Sequence, residues 1–134
     1  MPGYSGTPLA KKLGIKPGFR VKLKNAPEEY LEWLDDLPDD VSFSNSFRSQ
    51  IDVWHLFTAK RNELDKVLKA ALKQINRDGM IWVSWPKKSS GVPSEVTEDT
   101  VRELALPLGL VDVKVCAVSE IWSGLKLVIR KELR

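Results

Sequence analysis

The sequence predicts a three-layer α/β fold, with a mostly parallel sheet of about five or six strands that ends in an antiparallel hairpin. Three observations predict it. Strand-like runs alternate with helix-like runs as far as Val118, the pattern of parallel strands joined by crossover helices. The runs 53–57, apolar except for His55, and 80–85 read as strands covered on both sides. The last two strand-like runs, 110–118 and 125–130, are joined by the short segment 119–124, which is too short for a parallel crossover. A chain of 134 residues suits one core, so residues 1–134 are expected to form one domain.

Each element follows from local chemistry. Residues 3–6, bracketed by Gly3 and Gly6, are expected to be flexible. Thr7 and Pro8 suit the N-cap and first turn of a short helix with Leu9, Ala10 and Leu13 inward, and Gly14 suits its left-handed stop. After the turn Lys16-Pro17-Gly18, residues 19–24 alternate. Phe19, Val21 and Leu23 fall on one side and Arg20, Lys22 and Lys24 on the other. Such a strand has a wet face, so it lies near an edge or under a thin helical layer. Asn25-Ala26-Pro27 is expected to start a helix with Glu28 and Glu29 in its first turn, Tyr30, Leu31, Leu34 and Leu37 inward, and Pro38 closing it. Residues 41–43 make a short strand and 45–50 a loop.

The run 51–57 is a strong strand, followed by Thr58 as a candidate N-cap. Leu64, Val67, Leu68, Ala71, Leu72 and Ile75 then repeat with helical spacing, and residues 76–79 end that helix. Residues 80–85 form the most apolar strand and deliver the loop Pro86-Lys87-Lys88-Ser89-Ser90-Gly91. After a loop over 92–96, Thr97 caps a helix with Glu98 and Asp99 in its first turn. Val101, Leu104 and Ala105 turn inward, and Pro107 and Gly109 end it. The hairpin closes the chain. In this layout the fold is Rossmann-like.

Composition limits the function classes. At 43% hydrophobic and 29% charged residues the chain is ordinary globular material. No apolar run is long enough for a spanning helix, and the N-terminus lacks the charged and apolar regions of a secretory leader. One cysteine excludes an internal disulfide, and the expected compartment is the cytoplasm. The formal charge of +3, from 21 basic and 18 acidic side chains, gives no strong nucleic-acid signal. Acidic residues cluster over 28–40 and basic ones over 11–24 and 126–134; such runs are usually solvated faces.

Few residues carry chemistry. His55 lies mid-strand among apolar neighbours and reads as a core histidine. With one histidine and one cysteine, no Cys/His zinc site can be assembled. Ser84-Trp85-Pro86-Lys87 matches Ser-x-x-Lys, but a serine inside a strand with proline following lacks the helical context of that motif. Cys116 alternates with Leu110, Asp112 and Lys114 and is expected to be buried and unreactive. No catalytic and no metal residue is assigned. Ligands of open α/β sheets lie beyond the carboxyl ends of the strands. There Lys87 and Lys88 offer two ammonium groups, Ser89 and Ser90 hydroxyls, and Gly91 an approachable amide. The candidate ligand site is therefore Asn25, Lys87, Lys88, Ser89, Ser90, Gly91 and Trp122, with a solubilising surface loop as the open alternative.

Four stretches carry a resemblance: residues 5–14, Trp82-Val83-Ser84-Trp85-Pro86-Lys87, residues 108–115, and Trp122-Ser123-Gly124-Leu125. Together they resemble a family of small bacterial proteins catalogued as a domain of unknown function. That resemblance runs nearly end to end and implies no activity. The layout also resembles the C-terminal half of class I S-adenosylmethionine-dependent methyltransferases. The features carrying that likeness are strand 51–57, a helix, Asp78-Gly79-Met80-Ile81-Trp82-Val83-Ser84, a helix ending near Gly109, and the hairpin. That family has a glycine-rich loop after its first strand, and Asn25-Ala26-Pro27-Glu28-Glu29 stands in its place.

The resulting expectation is a non-enzymatic or degenerate methyltransferase-like domain that binds a small anionic ligand or a protein partner, its cofactor unknown. The alternatives are a transferase using a nucleotide-like cofactor such as S-adenosylmethionine, and a homo-oligomeric interaction module. No membrane partner is expected.

Overall fold

A computed structural model describes residues 7–134, so the flexible segment expected over residues 3–6 lies outside the described residues. Six strands, β1 (Arg20–Lys24), β2 (Ser42–Ser44), β3 (Ile51–Phe57), β4 (Ile75–Pro86), β5 (Leu110–Ala117) and β6 (Trp122–Ile129), form one sheet in the order β2-β1-β3-β4-β6-β5. The pairs β1–β2, β1–β3 and β3–β4 are parallel. The pairs β4–β6 and β5–β6 are antiparallel. This is the mixed α/β sheet expected, mostly parallel and closing in a hairpin. From β1 the chain moves to β2 on one side, then crosses back over β1 to β3 on the other. The strand order therefore reverses at β1.

The strict alternation of β4 divides the core in two. Ile81, Val83 and Trp85, with Trp54 and Leu56 of β3, face helices α2 (Arg61–Leu72) and α3 (Glu98–Ala105). Leu64, Leu68, Ala71, Val101 and Ala105 are the buried residues those helices supply. Met80 and Trp82, with Val21, Val53 and Phe57, face a thinner layer. It is built from Leu9, Ala10 and Leu13 of α1 (Leu9–Leu13) and from Tyr30 and Leu34. Trp82 Nε1 donates to the Leu13 carbonyl at 2.9 Å and ties that layer to the sheet. Among the described residues no helix is long and apolar enough to cross a membrane.

Several expectations are corrected. Residues 28–33 form only a 3₁₀ turn (Glu28–Trp33), because Leu34 leaves helical backbone at φ −99°, ψ 81° and Asp36 follows at φ 56°. Tyr30 and Leu34 still reach the core, but Leu31 is 53% exposed and Leu37 is also exposed. Helix α2 stops at Leu72, and Ile75 opens β4 opposite Ile51, at a bulge in the β3–β4 pairing. Residues 76–79 are thus strand. Gly79 is required there, since a Cβ would lie 2.9 Å from the Asn76 carbonyl oxygen and 3.0 Å from that of Ile51.

Capping also differs. Pro8, not Thr7, takes the cap position of α1, its carbonyl accepting from the Lys11 and Lys12 amides. Lys60, not Thr58, takes that of α2; Thr58 Oγ1 instead accepts from the Lys60 amide and donates to Glu63 Oε1 at 2.6 Å. Thr97 does cap α3, with Thr100 reciprocating as a capping box. Residues 122–124 belong to β6 rather than to the turn. A bulge between Asp112 and Lys114 breaks the alternation of β5, leaving Val113 and Val115 exposed and Cys116 only partly buried.

The wet face of β1 has its reason in the sheet order: β1 is second from the edge. Lys22 Nζ sits 4.2 Å above the Trp54 ring and the Arg20 guanidinium 3.9 Å above that of Phe47. Both side chains thus lie over apolar surface, which their cations meet face-on.

Candidate functional site

Three parallel strands end along one edge. Asn25 follows β1, Thr58 follows β3 and Lys87 follows β4. Backbone groups at these ends are tied across the strands. Asn25 adopts φ 60°, a left-handed conformation that asparagine tolerates, and its Nδ2 donates to the Phe57 carbonyl at 3.1 Å. The Thr58 amide donates to the Ser84 carbonyl at 3.0 Å, and the Lys87 amide to that of Ile121 at 2.8 Å. Along this rim the Glu63 carboxyl is held below its usual range. The Thr58 hydroxyl bond is the main cause, and the Asn25 side chain, Lys24 and Lys60 add to it against an opposing effect of burial.

The lysine loop is a single 3₁₀ turn, Lys88–Ser90, closed by Gly91 at φ 77°. A left-handed residue is needed there, and glycine supplies it at no steric cost. Much of the loop's polar chemistry is used internally. Ser90 Oγ donates to the Lys87 carbonyl at 2.6 Å and accepts from the Val92 amide at 3.1 Å, and the Gly91 amide donates to Lys88. Ser89 is exposed. Lys87 and Lys88 line a cleft of about 320 Å³ whose walls include Trp85, Val92, Val96, Thr97, Glu98 and Ser123. Glu98 is already paired with Arg102.

Asn25 lines a different cleft, of about 490 Å³, at the carboxyl ends of β1 and β2. Glu28, Tyr30, Phe43, Ser44 and Asn45 are among its other walls. Trp122 lines neither cleft; its ring meets Phe57 edge-on at 5.0 Å in the thinner core. The candidate residues thus share one edge of the sheet but divide between two clefts and the core. Asn25 apart, the walls of the first-strand cleft and the Thr58–Glu63 pair escape a reading of the sequence as site features. Their only signal is the Asn25-Ala26-Pro27 step after an alternating strand.

The lone histidine is enclosed. His55 Nδ1 lies 2.9 Å from Tyr30 Oη and Nε2 2.8 Å from Ser84 Oγ, and all three residues are buried. Burial lowers the His55 pKa to about 3 and raises that of the Tyr30 phenol. A neutral ring donates from one nitrogen and accepts at the other, so both are used. Ser84 and His55 both have no exposed surface, so their hydrogen-bonded pair is sealed in the core away from either cleft.

The family model described as "Protein of unknown function (DUF3052)" matches residues 10–131. The chain belongs to that family. No curated protein matches the sequence of this DUF3052 member. Its fold is found among solved structures. Fibrillarin from Aeropyrum pernix, described with natively bound S-adenosyl-L-methionine, matches with a TM-score of 0.59 at 14% identity, over 90% of this chain and 73% of that one. A Sulfolobus solfataricus protein provisionally described as a type 11 methyltransferase matches with 0.62 at 15% identity, over 92% and 90%. TrmN from Thermus thermophilus matches with 0.56 at 13% identity, over 90% of this chain and 47% of TrmN. At these identities the likeness shows a methyltransferase-like fold and no activity.

Proposed function

We propose that this DUF3052 domain keeps the sheet of a methyltransferase-like fold and binds a small anionic ligand at its carboxyl edge, without transferring a methyl group. The observation that carries this reading is the cleft of about 320 Å³ in which Lys87 and Lys88 stand beside the capped start of α3. The loop backbone is pinned by its own hydrogen bonds, so binding an anion has only the two lysine side chains left to order. Trp85, Val92 and Val96 give the cleft apolar walls for the rest of the ligand. Against catalysis stands the fate of the usual proton-transfer group: the only imidazole is spent inside the core.

A specific observation favours a second reading, a transferase using a nucleotide-like cofactor such as S-adenosylmethionine. The larger cleft lies at the carboxyl ends of β1 and β2, where the strand order reverses. One similar structure is described with natively bound S-adenosyl-L-methionine. A thermal-shift panel separates the two. Phosphate, pyrophosphate and small carboxylates form one arm; S-adenosylmethionine, S-adenosylhomocysteine, nucleotides and coenzyme A form the other. The anion reading expects saturable stabilisation by a phosphate- or carboxylate-bearing compound that disappears in Lys87→Ala/Lys88→Ala. Stabilisation by S-adenosylmethionine that survives in the double variant overturns it and moves the function to the first-strand cleft.

A further inference from the structure

The helical layer formed by α2 and α3 leaves part of the sheet uncovered. The buried core on that side contains no residue of β1 or β2. A parallel crossover usually needs a dozen or more residues and carries a helix. Here β2 and β3 are joined by residues 45–50 alone, and Phe47 is the part of that loop packed on the core. One stretch of sheet face is left without a helix, and the residues on it share one character. Arg20, Lys22 and Lys24 point to this face from β1. Ser42 and Ser44 stand beside Arg20 and Lys22 in the parallel register, and Arg48 joins from the crossover loop, its charge adding to the burial that depresses the Lys22 ammonium.

Cations normally find carboxylates, and these do not. Among the described residues none of Arg20, Lys22, Lys24 and Arg48 lies in an ion pair. Lys22 bonds to the neutral Gln74 Oε1 at 3.1 Å, and Arg20 Nη2 to the Ser49 carbonyl at 3.5 Å. Glu63 feels the charge of Lys24 at the far end of the strip without reaching it. Two more donors on this face, Arg20 Nε and Trp54 Nε1, are buried with no acceptor. The nearby carboxylate of Asp52 is taken up by the Arg20 amide at 2.8 Å and Asn76 Nδ2 at 2.8 Å, so the cationic side chains of the face keep no carboxylate partner.

We propose that this face docks an extended acidic peptide segment of a partner protein. The cations of β1 recur at every second residue, about 6.6 Å apart, so Arg20 to Lys24 spans about 13 Å. An extended chain with a carboxylate at every second position has the same repeat and falls into step with them. The neighbouring serine hydroxyls and the free Arg48 guanidinium extend the donor field to both sides of the strip. A single-stranded nucleic acid fits less well. Its binding rests on aromatic rings that stack bases, and here Trp54 is buried beneath Lys22 and Phe47 lies beneath Arg20. The inference is independent of the lysine cleft, since it uses none of that cleft's residues.

Fluorescence anisotropy tests it. The probes are a labelled peptide of alternating glutamate and threonine, a peptide of equal composition with its glutamates in one block, and an oligothymidylate. The proteins are the wild type, Lys24→Ser/Arg48→Ser, and the charge-matched control Lys66→Ser/Lys131→Ser. All four substituted side chains are exposed and outside the ion pairs of the described residues, so folding is retained and circular dichroism checks it. The expected result is tightest binding of the alternating peptide, weakened about tenfold or more in the strip variant and unchanged in the control. Equal loss in the control shows only net-charge attraction and overturns the proposal. So does equal affinity for the blocked peptide, absence of saturable binding, or an oligothymidylate that outcompetes both peptides; the last assigns the face to nucleic acid.

Discussion

Acid should destabilise the protein through His55, and the size of the effect follows from its enclosure. In the unfolded chain an imidazole titrates near ~6.5. In the fold, burial between Tyr30 and Ser84 lowers it to about 3. Between those values the unfolded state holds one more proton, so stability rises with pH. The contribution is complete above about pH 6.5 and is lost as pH falls from there towards about 3. The limiting slope is about 1.4 kcal/mol per pH unit, and from pH 6 to pH 4.5 the loss integrates to about 2 kcal/mol. Glu63 and Asp112 also hold depressed carboxyl values, Asp112 through its bond to Arg102, so their losses lie mostly below that window. The perturbation is His55→Gln, which can still donate and accept but does not titrate. Urea unfolding followed by tryptophan fluorescence at several pH values in the window gives both slopes. The variant should be less stable at pH 7, and its curve should be flatter by the His55 contribution. Parallel curves would refute the enclosure of a neutral imidazole.

Other consequences are read from packing. Leu68 is fully buried at the centre of α2, and Leu68→Ala should cost about 2–5 kcal/mol in the same unfolding assay; a loss well under 1 kcal/mol would place that helix face outside the core. Gly124→Ala should cost about 1–3 kcal/mol, because a Cβ there would lie 2.9 Å from Val118 Cγ2 and 3.2 Å from Trp82 Cε3, and a neutral effect would show that the hairpin can move aside. Cys116 is partly buried and burial raises its thiol pKa, so a thiol reagent should label it far more slowly in the native protein than in urea. Labelling at the rate of a free thiol in native buffer would contradict that placement.

Period and breakers made most of the fold legible. The two-sided apolar runs of β3 and β4, the helical repeat of α2 and the short link into β6 each admit one reading, and together they specify a mostly parallel sheet with a terminal hairpin. What stayed hidden was decided by tertiary contact. Leu31 and Leu37 have helical spacing with Leu34, yet only Tyr30 and Leu34 find a surface to bury against, and the segment relaxes to a 3₁₀ turn. Ile75 fits the helical repeat of α2 equally well, but its pairing with Ile51 draws it into β4. A one-residue bulge in β5 moves Val113 and Val115 to the surface, and no local signal marks it. At the rim, the sequence shows that Asn25 and Lys87 both follow strands. Their division between two clefts depends on the 3₁₀ turn and on the position of α3, which a linear reading lacks.

The central claim is an anion held by the loop after β4. A titration of inorganic pyrophosphate into isotope-labelled protein, followed by amide resonances in two-dimensional NMR, tests it most directly. Saturable shifts are expected, confined to residues 87–91 and the first turn of α3 and absent in Lys87→Ala/Lys88→Ala, whose unfolding midpoint stays close to wild type because neither lysine lies in an ion pair of the described residues. Shifts that do not saturate, that persist in the double variant, or that fall instead on Asn25 and Glu28 would contradict it.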